Sequence, residues 1–181
     1  MNYDNKINQI ESSGAEKTRV PVYRHPASYA LEHGEFELYR QSYTENVGCR
    51  DAIEQAIHGR YRDNRLGKEV ASEVIEQYGM ERVQYVLAAT IQAMSWDGRL
   101  SRDNKYWAGK ISVCENTDPW GQDRNAYFMV DHVHPGLLDL FTTQVRDYPE
   151  KQNRSRTSVM ARLQKHARDQ GHVTRERQDE R

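Results

Sequence analysis

Apolar residues from Glu35 onward recur mainly every three or four positions: Phe36, Tyr39, Tyr43, Val47, Ile53, Ile57 and Tyr61. That spacing predicts one long helix with a single buried face, irregular near Gly48. Glu35 and Glu37 in its first turn suit the positive end of the helix dipole. Ahead of it, Val20, Val22 and Tyr23 read as a short extended stretch ended by Pro26, and Ala27 to His33 as a short helix closed by Gly34. A third helix is expected from about Leu66 to Tyr78, with Leu66, Val70, Val74 and Tyr78 in register and Gly79 as its stop. A fourth follows at once, from Glu81 to about Trp96, carrying Val83, Val86, Leu87, Ile91 and Met94. It is the most apolar element, which places it at the centre of the core.

Trp96-Asp97-Gly98-Arg99 reads as a turn, because Asp-Gly accommodates a positive φ. Ser101 is the expected N-cap of a fifth helix through Ile111, with Asp103 near its positive end. Ile111 to Val113 and Ala126 to Val130 are strand-like, and the polar stretch Glu115 to Asn125, with Pro119 and Gly121, is loop. Pro135 suits a first helical position, and Leu137, Leu138, Phe141 and Val145 follow at helical spacing. The fold class is therefore mainly α with a small β component (α+β). Five or six helices are expected, with two or three short strands from Val20–Tyr23, Ile111–Val113 and Tyr127–Val130.

Charge divides the chain. Between Pro149 and Arg181 there are nine Lys/Arg against five Asp/Glu, whereas the residues before Pro149 carry seventeen against twenty-two. A formal net charge of −1 over 181 residues thus hides an acidic body and a basic tail. The tail's few large apolar residues cannot offset the entropy of ordering it, and the polar first 18 residues are expected to be loose on the same ground. Three segments result: an N-terminal arm over 1–18, one helical domain over 19–148, and a basic, mostly disordered tail over 149–181, within which Thr157 to Arg168 suits a short, frayed helix. Mean hydropathy is −0.99 and no apolar run reaches the ~18–20 residues of a membrane span. Two cysteines, Cys49 and Cys114, make no disulfide framework. A cytoplasmic location follows, with no membrane partner, and no secretory h-region is expected at the N-terminus.

Candidate chemistry is sparse. Asp131-His132-Val133-His134 offers three potential metal ligands in four residues, and His132 and His134 would share one side of a strand, but Pro135 makes His134 a helix-flanking residue, so no metal is assigned. Glu32 and Glu35 flank His33 and Gly34, an arrangement open to acid–base work and equally to helix-end electrostatics. Cys49 reads as a small buried side chain, and Cys114 has no activating histidine beside it. The glycines form no phosphate-cradling loop, so no cofactor is expected. Two basic clusters suit nucleic-acid phosphates: Arg60, Arg62 and Arg65 around Tyr61, and Arg154, Arg156, Arg162, Lys165 and Arg168 in the tail. Eleven tyrosines and three tryptophans against three phenylalanines favour side chains with a wide contact face and a polar tip.

Three runs of the chain carry a family resemblance. They are Ser28-Tyr29-Ala30-Leu31-Glu32-His33-Gly34-Glu35 with Tyr39, Ser42, Asn46, Cys49 and Ala52-Ile53-Glu54; then Glu81-Arg82-Val83, Tyr85-Val86-Leu87-Ala88, Trp96-Asp97-Gly98-Arg99, Ser101, Asn104 and Trp107-Ala108; then His134-Pro135-Gly136-Leu137. Across roughly Pro26 to Arg146 this resembles an uncharacterised domain family common in plasmids and conjugative elements of Gram-positive bacteria. Some small proteins of such elements resemble anti-CRISPR inhibitors of the type II effector nuclease. The resemblance implies a protein of the bacterial host cell's cytoplasm that binds that nuclease or its guide-RNA complex and blocks target-DNA binding or cleavage. An acidic body suits a channel built for nucleic acid. Trp96, Asp97, Arg99 and Trp107 are the four expected contact or support residues, with the Glu32/Glu35 region beside them, although a tryptophan beside Asp-Gly also suits a core plug. Two alternatives stand beside this reading: a ribonuclease cutting guide RNA, with Glu32 or Glu35 as base and His33 as acid, and a DNA-binding accessory of conjugation.

Overall fold

The computed structural model describes residues 19–149 except 63, 64, 68 and 119. The expected arm over 1–18 and nearly all of the basic tail, including Arg154, Arg156, Arg162, Lys165 and Arg168, lie outside the described residues. The rest is mainly α with a small β component. Helix α1 (Ala27–Glu32) leads through Gly34, at φ +72°, into the long α2 (Phe36–Arg60). A two-stranded antiparallel ribbon, β1 (Tyr61–Arg62) with β2 (Arg65–Leu66), joins α2 to α3 (Val70–Tyr78). Next come α4 (Met80–Ala93), α5 (Arg102–Gly109), a 3-10 turn (Arg124–Phe128) and a helix over 135–149, called α6 here.

Nine of the fourteen residues of α4 are buried, so the most apolar segment does lie at the centre. It packs against α2, α3 and α5, and α2 also meets α3 and the 3-10 turn. Leu138, Phe141 and Val145 of α6 complete the main core with Ile53, Ile57, Val83, Val86 and Leu87. A smaller cluster of Ala88, Ile91, Leu100 and Ala108 sits under the α4–α5 junction. The half-buried Trp107 and Val113 touch both clusters and fill the seam between them.

Several expectations need correction. Residues 19–26 form no strand: their polar groups bond to side chains of α2 and α4 instead of a sheet ladder. Ile111–Val113 is likewise irregular, and Ala126 to Phe128 belongs to the 3-10 turn, whose start is capped by the Asp123 carboxylate accepting from Asn125 N. The strands that do form, β1 and β2, take Leu66 away from the expected start of α3. Helix α2 runs unbroken through Gly48, where an added Cβ would meet the Tyr78 hydroxyl at 3.1 Å. That glycine permits a close helix–helix approach. Gly79, at φ +85°, ends α3 as expected.

The deepest departure lies in α2. Its buried line is Ser42, Asn46, Cys49, Ile53 and Ile57, polar in the first half, while Tyr39, Tyr43 and Val47 are only half-buried. The cause is Arg82 of α4, 3 % exposed. Its Nη1 donates to Ser42 O at 2.9 Å and to Asn46 Oδ1, and its Nη2 donates to Val20 O at 2.6 Å and Pro21 O at 3.2 Å. Tyr23 N donates to Ser42 Oγ at 2.9 Å. A buried cation satisfied by neutral acceptors thus fastens the segment 19–23 across α2. Burial pulls its pKa down from the usual arginine value, with the charge of Glu45 opposing that shift.

Candidate functional site

The link between α4 and α5 is a built turn. Asp97, 4 % exposed, accepts from Arg99 N at 2.9 Å, from Arg99 Nε at 3.0 Å and, through Oδ2, from Arg99 Nη2 at 2.6 Å. The Arg99 hydrogen bonds hold the Asp97 carboxyl at about 2, well below its ordinary value. Lys105 Nζ of α5 donates to Asp97 O at 2.7 Å, which ties the turn to the next helix. Gly98 has no positive φ, so the carboxylate bonds close this turn and glycine's conformational freedom does not.

Helix α5 is itself fixed to α6. Ser101 caps it, its Oγ accepting from Asn104 N, while Ser101 N and Oγ both donate to Asp139 Oδ1. The fully buried Asn104 donates to Asp139 and Thr143 and accepts from Arg146 Nη1 at 2.8 Å. Every polar atom of the Asn104 side chain is satisfied.

On this rigid frame stands Trp96, 78 % exposed, so it is no core plug. Tyr106, beside Lys105 on α5, is 69 % exposed and carries Lys110 Nζ over its ring at 4.1 Å. Rings held out by a fixed backbone lose little entropy on docking. Of the four expected contact residues, Trp96 stands free and Arg99 is half-exposed but engaged by Asp97. Asp97 and Trp107 support the turn and the core from within.

Sequence reasoning passes over Tyr106 and Trp120. Tyr106 lies off the stripe of Asn104 and Ala108, a position that faces outward on a helix. Trp120, 80 % exposed, sits in the polar loop whose Asp118 Oδ1 accepts from Trp120 N and Gln122 N at 2.9 Å each. A tryptophan inside a polar loop is the available signal there.

The acid–base candidates sit elsewhere, at the α1–α2 corner. His33 Nδ1 lies 2.9 Å from Tyr29 O; a carbonyl only accepts, so Nδ1 carries the proton. The His33 ring stacks on Tyr29 at 3.8 Å, and Tyr29 stacks on His25 at 4.3 Å. Glu35 Oε2 accepts from the Tyr23 hydroxyl at 2.7 Å, whereas Glu32 is exposed at the end of α1. Partial burial and this bond push the Tyr23 hydroxyl up to about 12. His33 and Glu35 are thus turned to different partners. The cavity nearby, among Tyr23, Tyr39, Tyr43, Tyr85 and Asn116, measures about 10 Å³, room for one water.

The basic knot is partly assembled. The ribbon register sets Arg62 opposite Arg65, both exposed, while Arg60 pairs with Glu73 of α3 at 2.5 Å. Cys49 is fully buried, and burial pushes its thiol up to about 12; the half-buried Cys114 is raised by the same cause. His134 turns back on its own helix, its Nδ1 accepting from Gly136 N at 3.1 Å.

Against this geometry, a family model described as a protein of unknown function, DUF3849, matches residues 22–150. The chain belongs to the DUF3849 family. The matched span takes in every element from α1 to α6, so the turn that displays Trp96 is part of the family domain. No curated protein and no solved structure matches the chain. Among the described residues, no helix is long and apolar enough to cross a membrane.

Proposed function

We propose that this DUF3849 protein is a binding protein that grips a macromolecular partner through Trp96 and Tyr106 and performs no chemistry on it. The observation that carries this reading is the pairing of a 78 % exposed tryptophan with a turn fixed by a buried aspartate. Tryptophan and tyrosine supply a disproportionate share of interface energy when a partner desolvates them. The partner we propose is the type II CRISPR effector nuclease or its guide-RNA complex, in the cytoplasm of a bacterial host. Support for that identity comes from the sequence resemblance and from an acidic body suited to a channel lined with positive charge.

The test is capture of the nuclease, with and without guide RNA, on immobilised full-length chain, coupled to a target-cleavage assay. Capture with near-stoichiometric loss of cleavage and intact guide RNA is the expected result. No capture in either state contradicts the partner, and a shortened guide transfers the case to the ribonuclease alternative.

A second reading rests on the ribbon. Arg62 and Arg65 face each other as like charges directly across two strands, a costly placement that an anion would relieve. It supports contact with DNA or RNA phosphates. Salt-sensitive binding to a mixed-sequence duplex that falls in R62A/R65A is its signature.

A further inference from the structure

The geometry points to a binding site for a divalent first-row transition ion, best filled by Zn2+, formed by Glu54 of α2 with Asp131 and His132 of the segment before α6. One donor atom from each of the three lies within 4.8 Å of the others. His132 Nδ1 is 3.3 Å from Glu54 Oε2 and 2.7 Å from Asp131 Oδ1. An ion about 2.0–2.2 Å from each donor holds its ligand atoms roughly 3.0–3.5 Å apart, so modest adjustment admits one.

Contacts around the cluster fix the Glu54 side chain and the backbone that carries Asp131 and His132. Glu54 Oε1 accepts from the backbone N–H groups of Asp131 and His132, each at 3.1 Å, which aims Oε2 at the imidazole. His58, one turn further along α2, lies with Nε2 3.0 Å from His132 O and so donates to that carbonyl. Val130 and Val133 are buried in the core on either side, and Val130 N donates to Thr90 Oγ1 at 3.0 Å. These contacts set the position of the segment that carries Asp131 and His132 against α2.

The charge pattern agrees. Among the described residues, no lysine or arginine ion pair reaches Glu54 or Asp131; both carboxylates pair with His132. Carboxylates only accept, so in the ion-free site the His132 Nδ1 carries a proton between them. The metal ion displaces that proton to water, and two carboxylates with a neutral imidazole then give a net charge of −2 around the ion. The nitrogen donor favours Zn2+, Co2+ or Ni2+ over the oxygen-seeking Mg2+ and Ca2+. Side-chain exposure of 72 % at His132 and 64 % at Asp131 leaves the outer coordination positions to water or to a ligand atom. His134 lies outside this group of three, and its Nδ1 accepts from Gly136 N.

Calorimetric titration of the full-length chain with Zn2+, and separately with Mg2+, tests the assignment. The expected result is one Zn2+ bound through these residues. D131N and H132A should each weaken it at least about tenfold while leaving the circular dichroism unchanged, and H134A should have no effect. E54Q keeps an oxygen for the two backbone N–H groups but loses the charge, and should weaken Zn2+ similarly. Visible bands of bound Co2+ should disappear in H132A. Absence of Zn2+ uptake, uptake that survives both D131N and H132A, or Mg2+ binding on equal terms would overturn the assignment. None of these results bears on the partner surface at Trp96.

Discussion

Two arginines hold irregular backbone in this domain, and they do so in opposite ways. Arg82 is buried and bonds only to neutral oxygens, from Ser42, Asn46, Val20 and Pro21. Arg99 is half-exposed and bonds to a buried carboxylate, Asp97. Removing the first leaves several buried acceptors without a donor; removing the second leaves one acceptor that still holds a backbone N–H. The first arrangement belongs to the fold. The second sets a stage, because the backbone it fixes carries Trp96 into solvent.

The largest effect should come from Arg82→Ala, a loss of about 2–4 kcal/mol of stability in urea unfolding. Arg82→Lys should recover little, because an ammonium cannot span the four acceptors of the planar guanidinium. Equal stability of R82A and wild type would mean that the Arg82 bonds do not hold the fold.

Asp97→Ala should be milder, lowering Tm by roughly 5 °C at neutral pH. The folded-state pKa of Asp97 is depressed from 3.8 to about 2. Its stabilisation is therefore present above about pH 4 and is lost as pH falls through 2. The wild-type advantage over D97A should shrink across that window in acid-melt experiments; an advantage constant from pH 7 to pH 2 would show that the carboxylate bonds are not its source.

Trp96→Ala and Tyr106→Ala should change stability by less than about 0.5 kcal/mol, since neither ring is buried. A marked drop in Tm for either would place that ring in the core, against its exposure. The smallest effect concerns the thiols. Iodoacetamide should label Cys114 in the native protein and leave Cys49 untouched until unfolding, because burial holds the Cys49 thiol at about 12. Early labelling of Cys49 would mean that α2 opens readily at its midpoint.

Helix order is legible in the sequence wherever burial is apolar and periodic. α4 and α6 follow directly from Val83–Ile91 and from Leu138, Phe141 and Val145. The N-cap of α5 follows from Ser101. Legibility ends where a side chain replaces a backbone partner. Val20–Tyr23 has the residues of a strand, but Arg82 and Ser42 supply its hydrogen bonds, from 62 and 19 residues away. The polar start of the buried line on α2 is hidden for the same reason, since Ser42 and Asn46 look like surface until Arg82 is placed against them.

The sites follow the same rule. Asp97 is recognisable as a turn residue, but only packing shows that Trp96 points outward while Trp107 fills the seam of the core. Asp131 and His132 stand out along the chain as potential ligands, but Glu54 does not, because it lies on α2, 77 residues from Asp131. The His132–His134 pairing that the sequence suggests is broken by the start of α6.

The most direct measurement of the central claim is the affinity of W96A, beside wild type, for the guide-loaded type II nuclease, with both proteins shown to melt alike. A rigidly displayed contact ring predicts a loss of roughly 30-fold or more with unchanged Tm. Equal affinities for the two proteins would contradict it.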